Sequence, residues 1–140
     1  MTIPDDVAAF LGRHTRAFLL TRRRDGSPTI HPMTAFFADG RTTMTTYRKS
    51  VKARNVERDP RAACLVVNGY GRSDVRGVLV RGRAALRPGV MEAPARGASG
   101  APRVSGDVSA RIADRMASGK RVFLDVAPDE VAVVQRLWSE

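Results

Sequence analysis

The chain has 140 residues, 43% of them hydrophobic and 27% charged, which are the proportions of one globular domain spanning 1–140. No apolar run approaches the roughly 20 residues a membrane helix needs, and the acidic start Met1 to Asp6 lacks the basic-then-apolar pattern of a secretory leader, so a cytoplasmic location is expected. The formal net charge of +10 favours anionic partners, whereas a single cysteine and two histidines exclude an internal disulfide and argue against a metal site.

In chain order, Asp5 to Leu11 places Val7, Phe10 and Leu11 behind a capping Asp, predicting a short helix that ends at Gly12. Arg16 to Thr21 is an apolar strand followed by the hairpin pair Asp25-Gly26. A second strand, Thr29 to Phe37, closes at Asp39-Gly40 and leads into a third, Arg41 to Tyr47, so that the three form an antiparallel meander. Pro32 has no N–H for a ladder and is expected at a bulge or an unpaired stretch.

The period then changes. Ser50 to Arg58 reads as one helix with Val51, Ala53 and Val56 on its apolar side, stopped by Asp59-Pro60. Strands follow at Arg61 to Val67, where Cys64 reads as a small buried hydrophobe, and at Val75 to Leu86, with Val78, Val80, Gly82, Ala84 and Leu86 on one face. The Gly-, Pro- and Ala-rich stretch 87–107 predicts a flexible loop. A helix over Ser109 to Ser118, a strand over Arg121 to Val126 and a short one over Glu130 to Val134 complete the chain, and Trp138 is expected to anchor a core or a dimer. Five or six short antiparallel strands with an inserted helix suggest a small closed barrel, because closure removes exposed sheet edges.

No nucleophile elbow, zinc-protease, Walker or dinucleotide-binding motif is present, and no catalytic side chain can be named, so any chemistry would be borrowed from a cofactor. Arginine outnumbers lysine 21 to 3, and the basic residues concentrate in only two places, Arg22-Arg23-Arg24 and Arg48 to Arg61. The first reads as a solvated basic turn. In the second, a Thr-rich strand end runs into a basic helix whose N-terminus, with Ser50 at the cap, Lys52 behind it and Thr46 before it, could converge on one phosphate. A solvated basic helix face would use the same residue types. Only eight aromatics are present and none interleaves with basic residues, so no nucleic-acid partner is expected.

The pattern Ser50-x-Lys52-x-x-Asn55 followed by Arg58-Asp59-Pro60-Arg61, after Asp39-Gly40-Arg41 and the Thr-rich strand, resembles the pyridoxamine-phosphate-oxidase-like split barrels of the flavin/deazaflavin oxidoreductase superfamily. Lys52 to Arg61 is more narrowly similar to the branch that binds the deazaflavin coenzyme F-420, other members using FMN. The resemblance runs from about Ala17 to Leu86 and returns at Arg121 to Val134. It implies a mainly β, six-stranded antiparallel split barrel with short helices, and a homodimer with the cofactor in a groove between subunits. It further implies that Ser50, Lys52 and Asn55 line the cofactor phosphate with Arg54 nearby, that Thr46 and Tyr47 belong to the same wall, and that Thr29, His31, Pro32 and Met33 lie against the ring system. The activity implied is hydride transfer between coenzyme F-420 and an unidentified small molecule. An FMN-dependent oxidase or reductase of the same fold, and a non-catalytic protein that binds cofactor or haem, remain alternatives.

Overall fold

The computed structural model describes residues 1–68, 76–90 and 106–135. Its elements are α1 (Asp5–Arg13), β1 (Arg16–Arg22), β2 (Pro28–Thr34), β3 (Phe36–Ala38), β4 (Arg41–Tyr47), α2 (Val51–Arg58), β5 (Arg61–Val67), β6 (Arg76–Arg87), α3 (Gly106–Ala117) and β7 (Arg121–Gln135). The strands form one antiparallel sheet in the order β2-β1-β5-β6-β7-β4-β3, curled into a half-barrel. There are seven strands, not six.

The extra strand arises at Ala35. The sequence there reads as one strand, Thr29 to Phe37, but Ala35 is buried and donates its backbone N–H to the Thr15 carbonyl at 2.8 Å, which takes the chain out of the ladder. β2 then pairs with β1 while β3 pairs with β4, at the opposite end of the sheet order. The expected meander therefore does not form. One residue joins the two edge strands, so the sheet must roll until its ends meet, and closure follows from connectivity as well as from edge protection. Pro32 is also not at a bulge. It lies in register opposite Phe18 on edge strand β2, where a missing N–H costs no ladder bond.

Both predicted hairpins are present. Asp39 and Gly40 have φ of 53° and 73°, the paired left-handed conformation that lets a two-residue turn follow the strand twist. In the longer turn, the Asp25 carboxylate accepts from the Ser27 N–H at 2.9 Å and from its hydroxyl at 2.6 Å. α1 runs one residue past Gly12, to Arg13, and buries Val7 and Leu11 against the sheet. Alternation places Ala17 and Leu19 of β1, Met44 of β4, Cys64 and Val66 of β5, Val78 and Val80 of β6, and Leu124 and Val126 of β7 in a common core. Burial pushes the Cys64 thiol up to about 12, so it behaves as the small hydrophobe its context predicts.

Arg121 to Val126 and Glu130 to Val134 are parts of one strand, β7, bulged where Arg81 pairs with Glu130 but Gly82 with Pro128, leaving Asp129 unpaired. At that bulge the β7 backbone approaches β6 so closely that a Cβ on Gly82 would overlap the Ala127 carbonyl. Of the expected loop 87–107, Arg87 ends β6 and 106–107 open α3, while 91–105 lie outside the described residues, as do Val75 and Trp138.

Asp125 binds three strands together. Its carboxylate accepts from the Thr43 hydroxyl of β4 at 2.7 Å and from Arg87 of β6 at 2.7 and 3.3 Å, with Arg41 at 3.9 Å. Burial pulls its pKa up, but the hydrogen bonds from Arg87 and Thr43 and the charges of Arg87 and Arg41 outweigh burial and leave it below the usual carboxylate value.

Two outcomes follow from these contacts. Gly82→Ala should cost about 3 kcal/mol or more, the upper end of overpacking penalties, because the obstruction is backbone rather than a movable side chain; urea denaturation measures it. Because the folded pKa of Asp125 lies below the unfolded value of about 3.9, its contribution is complete above that pH and is lost as pH falls through the folded pKa. The Tm gap between wild type and Asp125→Asn should therefore be widest near neutrality and shrink below about pH 4.

Candidate functional site: a cationic recess beside the second helix

α2 packs against β1 and β6, and its buried face carries a polar residue while one of the expected apolar ones faces outward. Val51 is 58% exposed, whereas Asn55 is 4% exposed and stands with Ala53 and Val56 on the buried side. A buried amide needs partners, and Asn55 has them. Its Nδ2 donates to the hydroxyls of Thr21 at 3.1 Å and Thr29 at 3.3 Å, and its Oδ1 accepts from Arg58 at 3.0 Å. Arg58 also donates to the Arg22 carbonyl at 2.6 Å, and the two threonine hydroxyls lie 2.9 Å apart. This polar cluster fastens α2 to the β1–β2 hairpin.

The fastening fixes the helix start. Ser50 is the N-cap, its Oγ accepting from the Ala53 N–H at 3.2 Å, and the Thr46 hydroxyl shares a hydrogen bond with the same oxygen at 3.0 Å. Lys52 follows, half-buried, its ammonium without a hydrogen bond or ion pair among the described residues. Burial, and then the charge of Arg121, hold its pKa below the usual lysine value. Within its electrostatic reach on β2 is His31, whose pKa is lowered by burial and then by Lys52, and whose Nδ1 is buried without a hydrogen-bond partner among the described residues.

Arg121, at the start of β7, completes the group. Its Nη2 donates to the carbonyl of Thr45 at 3.2 Å and to its hydroxyl at 2.9 Å, and its guanidinium stacks on the Tyr47 ring at 4.6 Å, while its Nε is buried without a partner. Arg115 of α3 also meets Tyr47, its guanidinium lying 5.3 Å from the ring centroid and donating to the phenolic oxygen. Three basic side chains from α2, β2 and β7 thus interact, and no carboxylate pairs with Lys52 or His31 among the described residues.

Of the residues singled out by sequence, Thr46, Ser50, Lys52 and His31 are brought to this recess. Met33 shares the inward side of β2 with Thr29 and His31 and packs against the core. Pro32 alternates to the other, exposed side, so the four β2 residues do not form one wall. Asn55 and Thr29 use their polar atoms within the fastening cluster. Arg54 is exposed and its side chain makes no hydrogen bond or ion pair among the described residues, and Tyr47 is flanked by two arginines. Sequence reasoning does not find Arg121, which stands opposite Tyr47 in the β4–β7 ladder and whose charge is felt at Lys52 of α2. No group of three or more potential metal ligands occurs among the described residues.

The recess suits an anion. Two pKa values are lowered, first by burial and then by a neighbouring positive charge, and two buried nitrogens lack partners; a phosphate would offset the charge and supply acceptors, and the Thr46–Ser50 hydroxyl pair adds donors. The phosphate-bearing side of a flavin-type cofactor fits this donor set.

Asn55→Ala would leave Arg58 short of an acceptor and the threonines short of a donor, and should destabilise the protein by about 1–3 kcal/mol in chemical denaturation. Asn55→Asp should be at least as costly, since it replaces the donating amide with a second acceptor facing two hydroxyls.

No curated protein matches the sequence. Among solved structures, the conserved hypothetical protein Rv2991 from Mycobacterium tuberculosis aligns with a TM-score of 0.69 at 24% identity, over 96% of this chain and 86% of that one. An F-420 reductase aligns with a TM-score of 0.64 at 21% identity, over 93% of this chain and 98% of that one. A FAD-binding protein from Mesorhizobium loti gives 0.63 at 15% identity, with 97% of each chain covered. At these identities the likeness is one of fold. The family model described as pyridoxamine 5'-phosphate oxidase matches residues 3–135, nearly the whole chain, and the protein therefore belongs to the pyridoxamine 5'-phosphate oxidase family, with its split-barrel architecture.

Proposed function

We propose that this protein is an oxidoreductase that works with a flavin-type cofactor, coenzyme F-420 in the first place and FMN in the second, on a small molecule. The observation that carries the reading is the half-buried ammonium of Lys52, unpaired among the described residues and within electrostatic reach of His31 and Arg121, at the start of a helix capped by Ser50. A cation in the first helical turn opposes the helix dipole, so the position is unfavourable until an anion joins it. The names of the neighbouring F-420 reductase and FAD-binding protein agree with this class of ligand.

In this reading Lys52, Ser50 and Thr46 hold the cofactor phosphate, and His31 and Met33 present the inward side of β2 to the ring system. Asn55 and Thr29 act through position, keeping α2 against the β1–β2 hairpin so that Lys52 and His31 stay side by side. The cofactor, when bound, supplies hydride exchange, a chemistry no side chain of this chain offers. His31, with its pKa below the usual value of 6.5, is neutral at physiological pH and so serves as a hydrogen-bonding group rather than a second fixed charge. A second copy of the chain would complete the groove, and the exposed apolar residues Ile30, Phe36 and Val51, at 61%, 49% and 58% exposure, supply material for that contact.

The test is a fluorescence titration with coenzyme F-420 and, in parallel, FMN, comparing wild type with Lys52→Ala. Loss of a charge-assisted contact to phosphate should weaken binding roughly 10- to 100-fold. Preference for FMN would move the protein to the second cofactor, and binding of neither would reject the assignment.

A further inference from the structure

The opposite end of α2 carries a second concentration of positive charge that the cofactor reading does not use. An open groove lies between the β1–β2 turn and the segment after α2, lined by Arg22, Arg23, Arg24, Arg58, Asp59 and Arg61. We propose that this groove is a separate binding site for the phosphate or diphosphate group of a phosphorylated small molecule.

The charge inventory favours a multiply charged anion. The two carboxylates at the groove, Asp25 and Asp59, are already satisfied. Asp25 accepts two hydrogen bonds from Ser27, and Asp59 is held in a bidentate pair with Arg61 at 2.9 and 3.0 Å, with Arg22 at 3.9 Å. The Arg61 pair brings the Asp59 pKa down to about 2, so the carboxylate stays ionised and stays engaged. Five arginines against two carboxylates leave an excess of three positive charges. The side chains of Arg23 and Arg24 make no hydrogen bond or ion pair among the described residues. A single carboxylate would neutralise a third of this excess; a phosphate monoester or a diphosphate comes close to matching it.

The groove is also preorganised. Arg58 is fixed by two acceptors, the Arg22 carbonyl and the Asn55 Oδ1, and Asn55 is itself 4% exposed, so this guanidinium does not have to be ordered when a ligand arrives. The turn that carries Arg23 is closed by backbone bonds from Arg23 N–H to the Ser27 carbonyl at 2.8 Å and from Gly26 N–H to the Arg23 carbonyl at 2.9 Å. Among the described residues no aromatic side chain lines the groove, so recognition falls on charge and hydrogen-bond geometry at the phosphoryl end, with the rest of the ligand facing solvent. The absence of a stacking surface also weighs against a nucleic-acid strand.

Inorganic pyrophosphate is the probe, titrated calorimetrically at low ionic strength into wild type, Arg23→Ala/Arg24→Ala and Lys52→Ala. Arg23 and Arg24 are exposed turn residues whose side chains support no contact, so the double variant should keep its fold, checked by circular dichroism, and its cofactor affinity. The proposal expects saturable binding, weakened at least ~10-fold in the double variant and retained in Lys52→Ala. It is overturned if wild type shows no saturable binding. Loss in Lys52→Ala but not in the double variant would also overturn it, since the anion would then sit at the cofactor recess. Binding of a single-stranded oligonucleotide without binding of pyrophosphate would reassign the groove to a polymer. The cofactor titration fails or succeeds independently, because it reads the other end of α2.

Discussion

Asn55 is the constraint on which the remainder of the site depends. One amide satisfies two threonines of the β1–β2 hairpin and one arginine of its own helix, and that arginine returns to the hairpin backbone. Each such bond contributes only about 1 kcal/mol net, but every partner left unsatisfied would cost more than that, so the cluster has one low-energy arrangement. An apolar residue at this position would bury more hydrophobic surface and still hold α2 less definitely, because apolar packing tolerates sliding and rotation that hydrogen bonds do not. The orientation of α2 decides where Ser50 and Lys52 stand, and therefore whether Lys52 meets His31.

Sheet closure supplies the other half of the geometry. Ala35 joins strands that sit at opposite ends of the hydrogen-bonding order, and the Arg16–Val67 and Tyr47–Arg121 registers bring β1, β5, β7 and β4 around a core made of small and medium apolar residues. The edges that remain are protected by different means. β2 carries Pro32, and β3 is only three residues long. The Asp125 cluster works on the outer side of the same sheet, tying β4 to β7 and β6 with a carboxylate whose partners outweigh its burial. Closure and the outer clamp thus hold Arg121 near α2, a proximity that the 69-residue separation of Lys52 and Arg121 in the chain conceals.

What the sequence disclosed was whatever depends on local chemistry. The Ser50 cap, the Asp59-Pro60 stop, the two Asp-Gly turns and the burial of Cys64 all express residue-level preferences, and the structure contains each of them. The errors share another cause. The division at Ala35 is imposed by a backbone bond to Thr15, twenty residues away, in a stretch whose β propensity is unbroken. The joining of 121–126 with 130–134 required knowing that Gly82 lay opposite, where the partner backbone can bulge inward. Val51 and Asn55 exchanged their expected environments because the helix faces polar threonines of the hairpin, and periodicity counts apolar residues without knowing what lies across from them.

The two ends of α2 illustrate how the same charge can mean different things. At the C-terminal end, Arg58 is favoured by the helix dipole and donates to two neutral acceptors, so its position is stable without any ligand. At the N-terminal end, Lys52 is opposed by the dipole, partly dehydrated and adjacent to another cation, and the chain offers no acid to relieve it among the described residues. A lysine in those circumstances weakens the empty protein. An anion that binds there removes the opposition of dipole and neighbour together, so its binding free energy appears also as folding stability. Arginine would be the poorer residue for this position, since its planar fork and longer reach would find neutral acceptors as Arg58 does; a compact ammonium on a flexible stem stays available as a point charge for a phosphate. In the proposed reading, the unfavourable placement of Lys52 is the physical mark of a site whose most stable form includes its ligand.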